Sequence, residues 1–153
     1  MSTVFDKFSS WVKEQSASLK SEVQKFKNKD FLDAVVAGCA MVAYADGVIS
    51  PDEKRKTIGF IQQNEALSVF NVEEAIKIFE SYVTKMNFDL MIGKGEALKS
   101  IAKLKKKPEE AKLMVRVCCA IGAADGNFDD TEKQIVRDIC TELGLNPKDF
   151  NLV

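Results

Sequence analysis

Residues 34–45, AVVAGCAMVAYA, run for twelve positions without a charged side chain. A membrane span needs about 18 or more such residues, so this run is too short for one. A helix that is apolar on every side has to be enclosed by other elements, and the run predicts a buried helix near 31–45. Elsewhere apolar residues recur at helical spacing, and no sustained alternation of period two, punctuated by Gly or Pro, interrupts them. The expectation is an all-α chain: a compact bundle of about seven helices. At 153 residues it fits one domain, 1–153, which is long enough to bury roughly 70% of the surface of its unfolded chain.

The spacing predicts an amphipathic first helix near 4–26, with Phe5, Phe8, Trp11, Val12, Leu19, Val23 and Phe26 as its apolar positions. Further helices are predicted near 51–64, 72–86, 89–105, 109–124 and 130–143, with a short turn at NPKDF. Asn71 is the expected cap of the helix at 72, because Glu74 stands three residues after it. Pro147 suits a first helical position after Asn146.

Laying residues 39–54 over 118–133 pairs Cys39 with Cys118, Asp46 with Asp125, Gly47 with Gly126, Glu53 with Glu132 and Lys54 with Lys133, all at one offset of 79. Two equivalent helix-loop-helix units, near 31–64 and 110–143, are the expectation, each a buried helix leading into an acidic loop.

Two readings of these loops stand side by side. In the first they are plain turns. Gly47 and Gly126 then supply a positive φ, and SPDE and DDTE form capping boxes with Ser50 or Asp129 at the cap and Glu53 or Glu132 three residues on. In the second they bind a cation. Asp46 and Asp125 stand near helix C-termini, where the macrodipole disfavours an anion by about 0.3–1 kcal/mol, so each needs a local partner. Asp125, Asn127 and Asp129 alternate around a turn, followed by Asp130 and Glu132. A hard cation such as calcium asks for converging oxygens of this kind. The pattern is not an EF-hand: the glycine comes second, and Val136 occupies the twelfth position counted from Asp125. If the two units pack face to face, Asp46, Asp52 and Glu53 add their carboxylates to the second loop.

Composition removes much other chemistry. Histidine is absent, which excludes Ser-His-Asp and Cys-His catalysis and leaves oxygen or sulfur as metal ligands. Nothing supplies an activated nucleophile, so no enzyme is expected. The four cysteines form no C-x-x-C pair and lie among apolar residues. They read as reduced, inert core thiols of a cytoplasmic protein, Cys118 and Cys119 included. The formal net charge of −1 gives no footprint for nucleic acid. Polar and charged residues occupy the N-terminal stretch where a secretory signal is apolar, so export is not expected.

Three other stretches carry weaker signals. IGKGEALKS, at 92–100, lacks a full phosphate-loop pattern and follows no strand, so it reads as a helical glycine pair allowing close packing. Lys103, Lys105, Lys106 and Lys107 favour a helix C-terminus, with a basic patch for lipid or an acidic partner as the alternative. The first helix is expected to dock on the domain's own core, with peripheral membrane contact as the alternative.

FDKF, KFKNKDF, DGVISPDEK, FDLMIGKGEALK and ADGNFDDTEK occur in this order and span nearly the whole chain. On these motifs the sequence resembles the TerB-like family of bacterial tellurite resistance proteins. The resemblance implies a compact all-helical, non-enzymatic domain linked to tellurite resistance, stress response, phage inhibition and colicin resistance. It further implies metal chelation by the acidic loops, which maps onto Asp46, Glu53, Asp125, Asn127, Asp129, Asp130 and Glu132, with calcium the favoured divalent cation and magnesium or manganese the alternatives. The partners it implies are a TerC-like membrane protein and a TerD-like calcium-binding protein. A cytoplasmic location follows, with the inner face of the membrane as the place of contact.

Overall fold

The computed structural model describes residues 4–124, 126 and 128–152, apart from the side chains of residues 4, 5, 6 and 9. Seven α-helices make up most of it: α1 (Val4–Lys25), α2 (Lys29–Ala43), α3 (Pro51–Gln63), α4 (Val72–Phe88), α5 (Leu90–Ala102), α6 (Pro108–Gly122) and α7 (Asp130–Leu143). Short 3-10 turns follow α3 at Ala66–Val69 and α7 at Pro147–Phe150. No strand occurs among the described residues. None of their helices is long and apolar enough to cross a membrane.

The all-apolar run becomes the axis of the bundle. α2 packs against α3, α4, α5, α6 and α7, and every residue from Ala34 to Val42 is buried. It begins two residues earlier than the periodicity predicts, because the side chain of Asn28 accepts a hydrogen bond from Phe31 N at 2.9 Å. The same side chain donates to Glu110 Oε1 at 2.7 Å, which ties the start of α2 to α6. Where α2 crosses α6, Gly38 lets the helices close: a Cβ there would lie 2.7 Å from Cys118 Sγ.

The first helix docks on the core, with Phe8, Val12, Leu19 and Val23 buried. Phe8 stacks on Phe128 of the second acidic loop with ring centroids 5.1 Å apart. Trp11 meets Phe150 edge-on at 6.1 Å. Phe5, expected on the same face, lies outside the described side chains. The apolar face that suggested membrane contact is thus largely covered by the protein itself.

α4 and α5 form a tight hairpin. Asp89 terminates α4 and caps α5, its carboxylate accepting from Ile92 N at 3.1 Å. A Cβ on Gly93 would lie 2.6 Å from Met86 Cα and N, so the close approach requires glycine. Gly95 has open space around it, and only one residue of the glycine pair serves packing. α5 ends at Ala102, short of the predicted 105. The next residues turn instead, because Pro108 starts α6 and the chain must reverse before it.

Candidate cation-binding cleft

Both acidic loops leave their helices by the same hydrogen bonds. Gly47 N donates to Tyr44 O at 2.8 Å, and Gly126 N donates to Ala123 O at 3.0 Å. The φ values of the two glycines are 89° and 76°, as their position in the loops predicts. The helices nevertheless stop three residues before each glycine turn closes, with Tyr44 and Ala123 as the capping residues. Asp46 therefore stands in the loop, past the helix end.

The following helices start alike but not identically. Asp129 accepts from Glu132 N at 2.8 Å and Glu132 Oε1 accepts from Asp129 N at 3.1 Å, a complete reciprocal box. In the first loop only half of the box forms: Ser50 Oγ accepts from Glu53 N at 3.1 Å, with Pro51 in the first turn, and Glu53 does not reach back. The second box holds two carboxylates in place, whereas the first uses only a hydroxyl.

α2 and α7 pack together, and α3 lies against both α2 and α6. The ends of the two loops consequently face one cleft of about 290 Å³. Asp46 and Glu53 line it from the first unit, Asp129 and Glu132 from the second. Asp52 turns outward and pairs with Arg55. Asp130, on the first turn of α7, is exposed and does not line the cleft. Asp125 and Asn127, two of the expected ligands, lie outside the described residues.

Lys56, Thr57 and Phe60 complete one wall. Nothing in the loop motifs indicates them, yet the helical period does: counted from Glu53, positions 56, 57 and 60 fall on one face of α3. Lys56 adds a positive charge to the wall of this acidic cleft, which the loop motifs alone do not reveal.

The donor set is all oxygen and suits a hard divalent cation by its chemistry. Its spacing is looser than its chemistry. Among the described residues no three Asp, Glu or Cys side chains draw close enough to hold one ion together.

Beneath the cleft lies a smaller cavity of about 50 Å³, lined in part by Glu132, Cys39 and Cys118. Cys39 and Cys118, which stand 79 residues apart in sequence, meet here. Cys118 donates to Val35 O at 3.4 Å, and the neighbouring Cys39 together with burial pushes its thiol well above the ordinary value. Burial likewise raises Cys119, and pushes Cys140 up to about 12. All four cysteines are free and buried. A thiol held this far above neutral pH supplies almost no thiolate, so the cavity is poorly suited to nucleophilic chemistry.

Comparison with known proteins agrees with the motifs. A family model described as "Tellurite resistance protein TerB" matches residues 32–153. A relative named "Tellurium resistance protein TerB", from Alcaligenes sp, is 43% identical over 113 residues, which cover 74% of this chain and 93% of the relative. No solved structure gives a significant match. The matched segment begins within the first turn of α2, runs to residue 153 and includes both loops and the whole cleft, and on these grounds the chain belongs to the TerB family of tellurite resistance proteins.

Proposed function

We propose that the chain serves tellurite resistance and the associated stress response as a non-catalytic module that binds a divalent cation and protein partners. One observation carries this reading: two loops 79 residues apart in sequence direct Asp46, Glu53, Asp129 and Glu132 into a single cleft. Carboxylates brought together in this way repel one another unless a positive charge joins them. A bound cation would supply that charge, with Lys56 on the same wall. Calcium is the favoured ion, with magnesium and manganese as alternatives, because every donor is a hard oxygen. In this reading the second loop's other oxygen side chains, Asp125, Asn127 and Asp130, are the candidates for completing the ligand set.

A second reading has its own support. The reciprocal box engages both Asp129 and Glu132, and the described carboxylates are not clustered in threes. In this reading the chain is a metal-free helical adaptor of a membrane-associated resistance complex, in the cytoplasm at the inner face of the membrane. The cleft then presents charge to a TerC-like or TerD-like partner.

Amide NMR of the chelator-treated protein, titrated with calcium and then magnesium and manganese, separates the two. Saturable shifts in residues 46–53 and 125–132, lost in Asp125→Ala and weakened in Glu53→Gln, support the cation. An Asp125→Ala protein that binds calcium as wild type does would remove that residue from the site. No shifts at millimolar calcium, with partner binding unchanged in chelator, would establish the adaptor.

A further inference from the structure

Beneath the acidic cleft, two thiols from different helices stand side by side. Cys39 of α2 and Cys118 of α6 line the same cavity of about 50 Å³, and their side chains interact directly. The Cys118 sulfur is seated against α2: it donates to Val35 O at 3.4 Å, and a Cβ on Gly38 would lie 2.7 Å from it. The absence of a side chain at Gly38 therefore lets α6 bring this sulfur next to Cys39. Cys119 and Cys140 are also buried but are not part of this cavity's lining. Most of the lining is apolar, with Thr57 and Glu132 the polar exceptions. Those two residues and Phe60 also line the cleft above, so the cavity adjoins the place where a cation would first be drawn in.

We propose that Cys39 and Cys118 form a two-coordinate site for a soft, thiophilic divalent ion of the mercury(II) class. Sulfur ligands select soft ions, just as the oxygens of the cleft suit hard ones. The number of ligands points the same way. Among the described residues no three Asp, Glu or Cys side chains draw together, as a tetrahedral zinc site would require, whereas two sulfurs suffice for an ion that favours linear coordination. A cavity needs only about 10–15 Å³ to hold a water, so there is room for one bare ion. On binding, each thiol releases its proton to solvent as its sulfur forms a bond to the ion, and no electron is transferred. Two protons leave and a divalent cation enters, so the buried site stays neutral, which an apolar cavity tolerates far better than a net charge. A monovalent soft ion such as copper(I) would leave one negative charge behind. Burial keeps the Cys118 thiol protonated until a metal displaces the proton. A bare ion is also far smaller than a thiol reagent, so uptake is compatible with thiols that are otherwise silent. The proposal does not depend on a hard ion in the cleft, whose donors are all oxygens.

Mercuric ion offered to the reduced full chain in excess monothiol competitor, followed by gel filtration and metal analysis, tests the pair. The folded chain is expected to retain a single ion, and native mass spectrometry should show the mass of the metal less that of two protons. Two sulfurs held side by side act as a chelate, so Cys39→Ala and Cys118→Ala should each weaken retention by about a hundredfold or more. Cys119→Ala and Cys140→Ala should hold the ion as wild type does. Thermal melts of the metal-free variants identify any that has not folded. X-ray absorption on the loaded wild type needs no variant, and two sulfur neighbours in a linear arrangement are expected. A folded wild type that the competitor strips completely, uptake only after denaturant has opened the chain, or an oxygen-rich coordination shell overturns the proposal. So does a folded Cys39→Ala variant that retains the ion while Cys140→Ala loses it, because the ion would then sit elsewhere in the core.

Discussion

Arg116 of α6 closes on Glu22 of α1 with two hydrogen bonds, Nη1 to Oε1 at 2.8 Å and Nη2 to Oε2 at 2.6 Å, joining residues 94 apart in sequence. The Arg116 guanidinium holds the Glu22 carboxyl below its ordinary value, against a smaller opposing effect of burial. A folded value below the unfolded one means that the stability from this pair is complete above the unfolded value and is lost as pH falls through the folded one. Both side chains keep some contact with water, at 18% and 35% exposure, so the contribution is screened. Glu22→Gln is expected to lower stability by about 1 kcal/mol at neutral pH. Urea titrations at pH 7 and in acid check this: the gap between wild type and variant should close in acid.

The unequal loop caps predict unequal losses. Asp129→Ala removes a charged acceptor of Glu132 N at the start of α7 and breaks a reciprocal box, whereas Ser50→Ala removes a neutral acceptor. Asp129→Ala should cost about 1–2 kcal/mol and Ser50→Ala about 1 kcal/mol or less. Chemical denaturation of both variants in chelator, which removes any ion, provides the comparison.

Gly93 and Gly95 should respond in opposite directions to the same change. Gly93→Ala places a Cβ 2.6 Å from backbone atoms of Met86, which cannot yield as a side chain tip does, and is expected to destabilise by about 1–3 kcal/mol or more. Gly95→Ala meets open space inside a helix and should stabilise by up to about 1 kcal/mol. Melting temperatures of the two variants on the same day and buffer are sufficient. A destabilised Gly95→Ala would contradict the open environment around that residue.

The thiols should be silent in the native protein. Cys39, Cys118, Cys119 and Cys140 are buried, and the last three are held above their ordinary values, so an aromatic disulfide reagent at neutral pH should label none of them quickly. All four should react once the chain is unfolded in denaturant. Rapid labelling of Cys118 in the folded state would mean that the small cavity beside it opens far enough to admit reagent.

Residues 34–45 had one physical solution in a chain of this length, a helix enclosed by others, and helical spacing elsewhere supplied the partners. The Asn71 cap, Pro147 and the positive φ of Gly47 and Gly126 were equally legible, because capping and glycine conformation are decided within a few residues of chain. The family was legible for a similar reason: its motifs are short, local and ordered. Tertiary contact decided the rest. Asp52 and Glu53 are adjacent in sequence, yet one faces Arg55 and the other the cleft, a difference set by how α3 is rolled against α2 and α6. Packing likewise turned Phe8 and Val12 inward, as their helical spacing predicts, and left Phe88 and Met91 outside, which no motif marks as exposed. Local sequence fixes backbone geometry through short-range sterics and hydrogen bonds. Which face of a helix meets water depends on every helix around it.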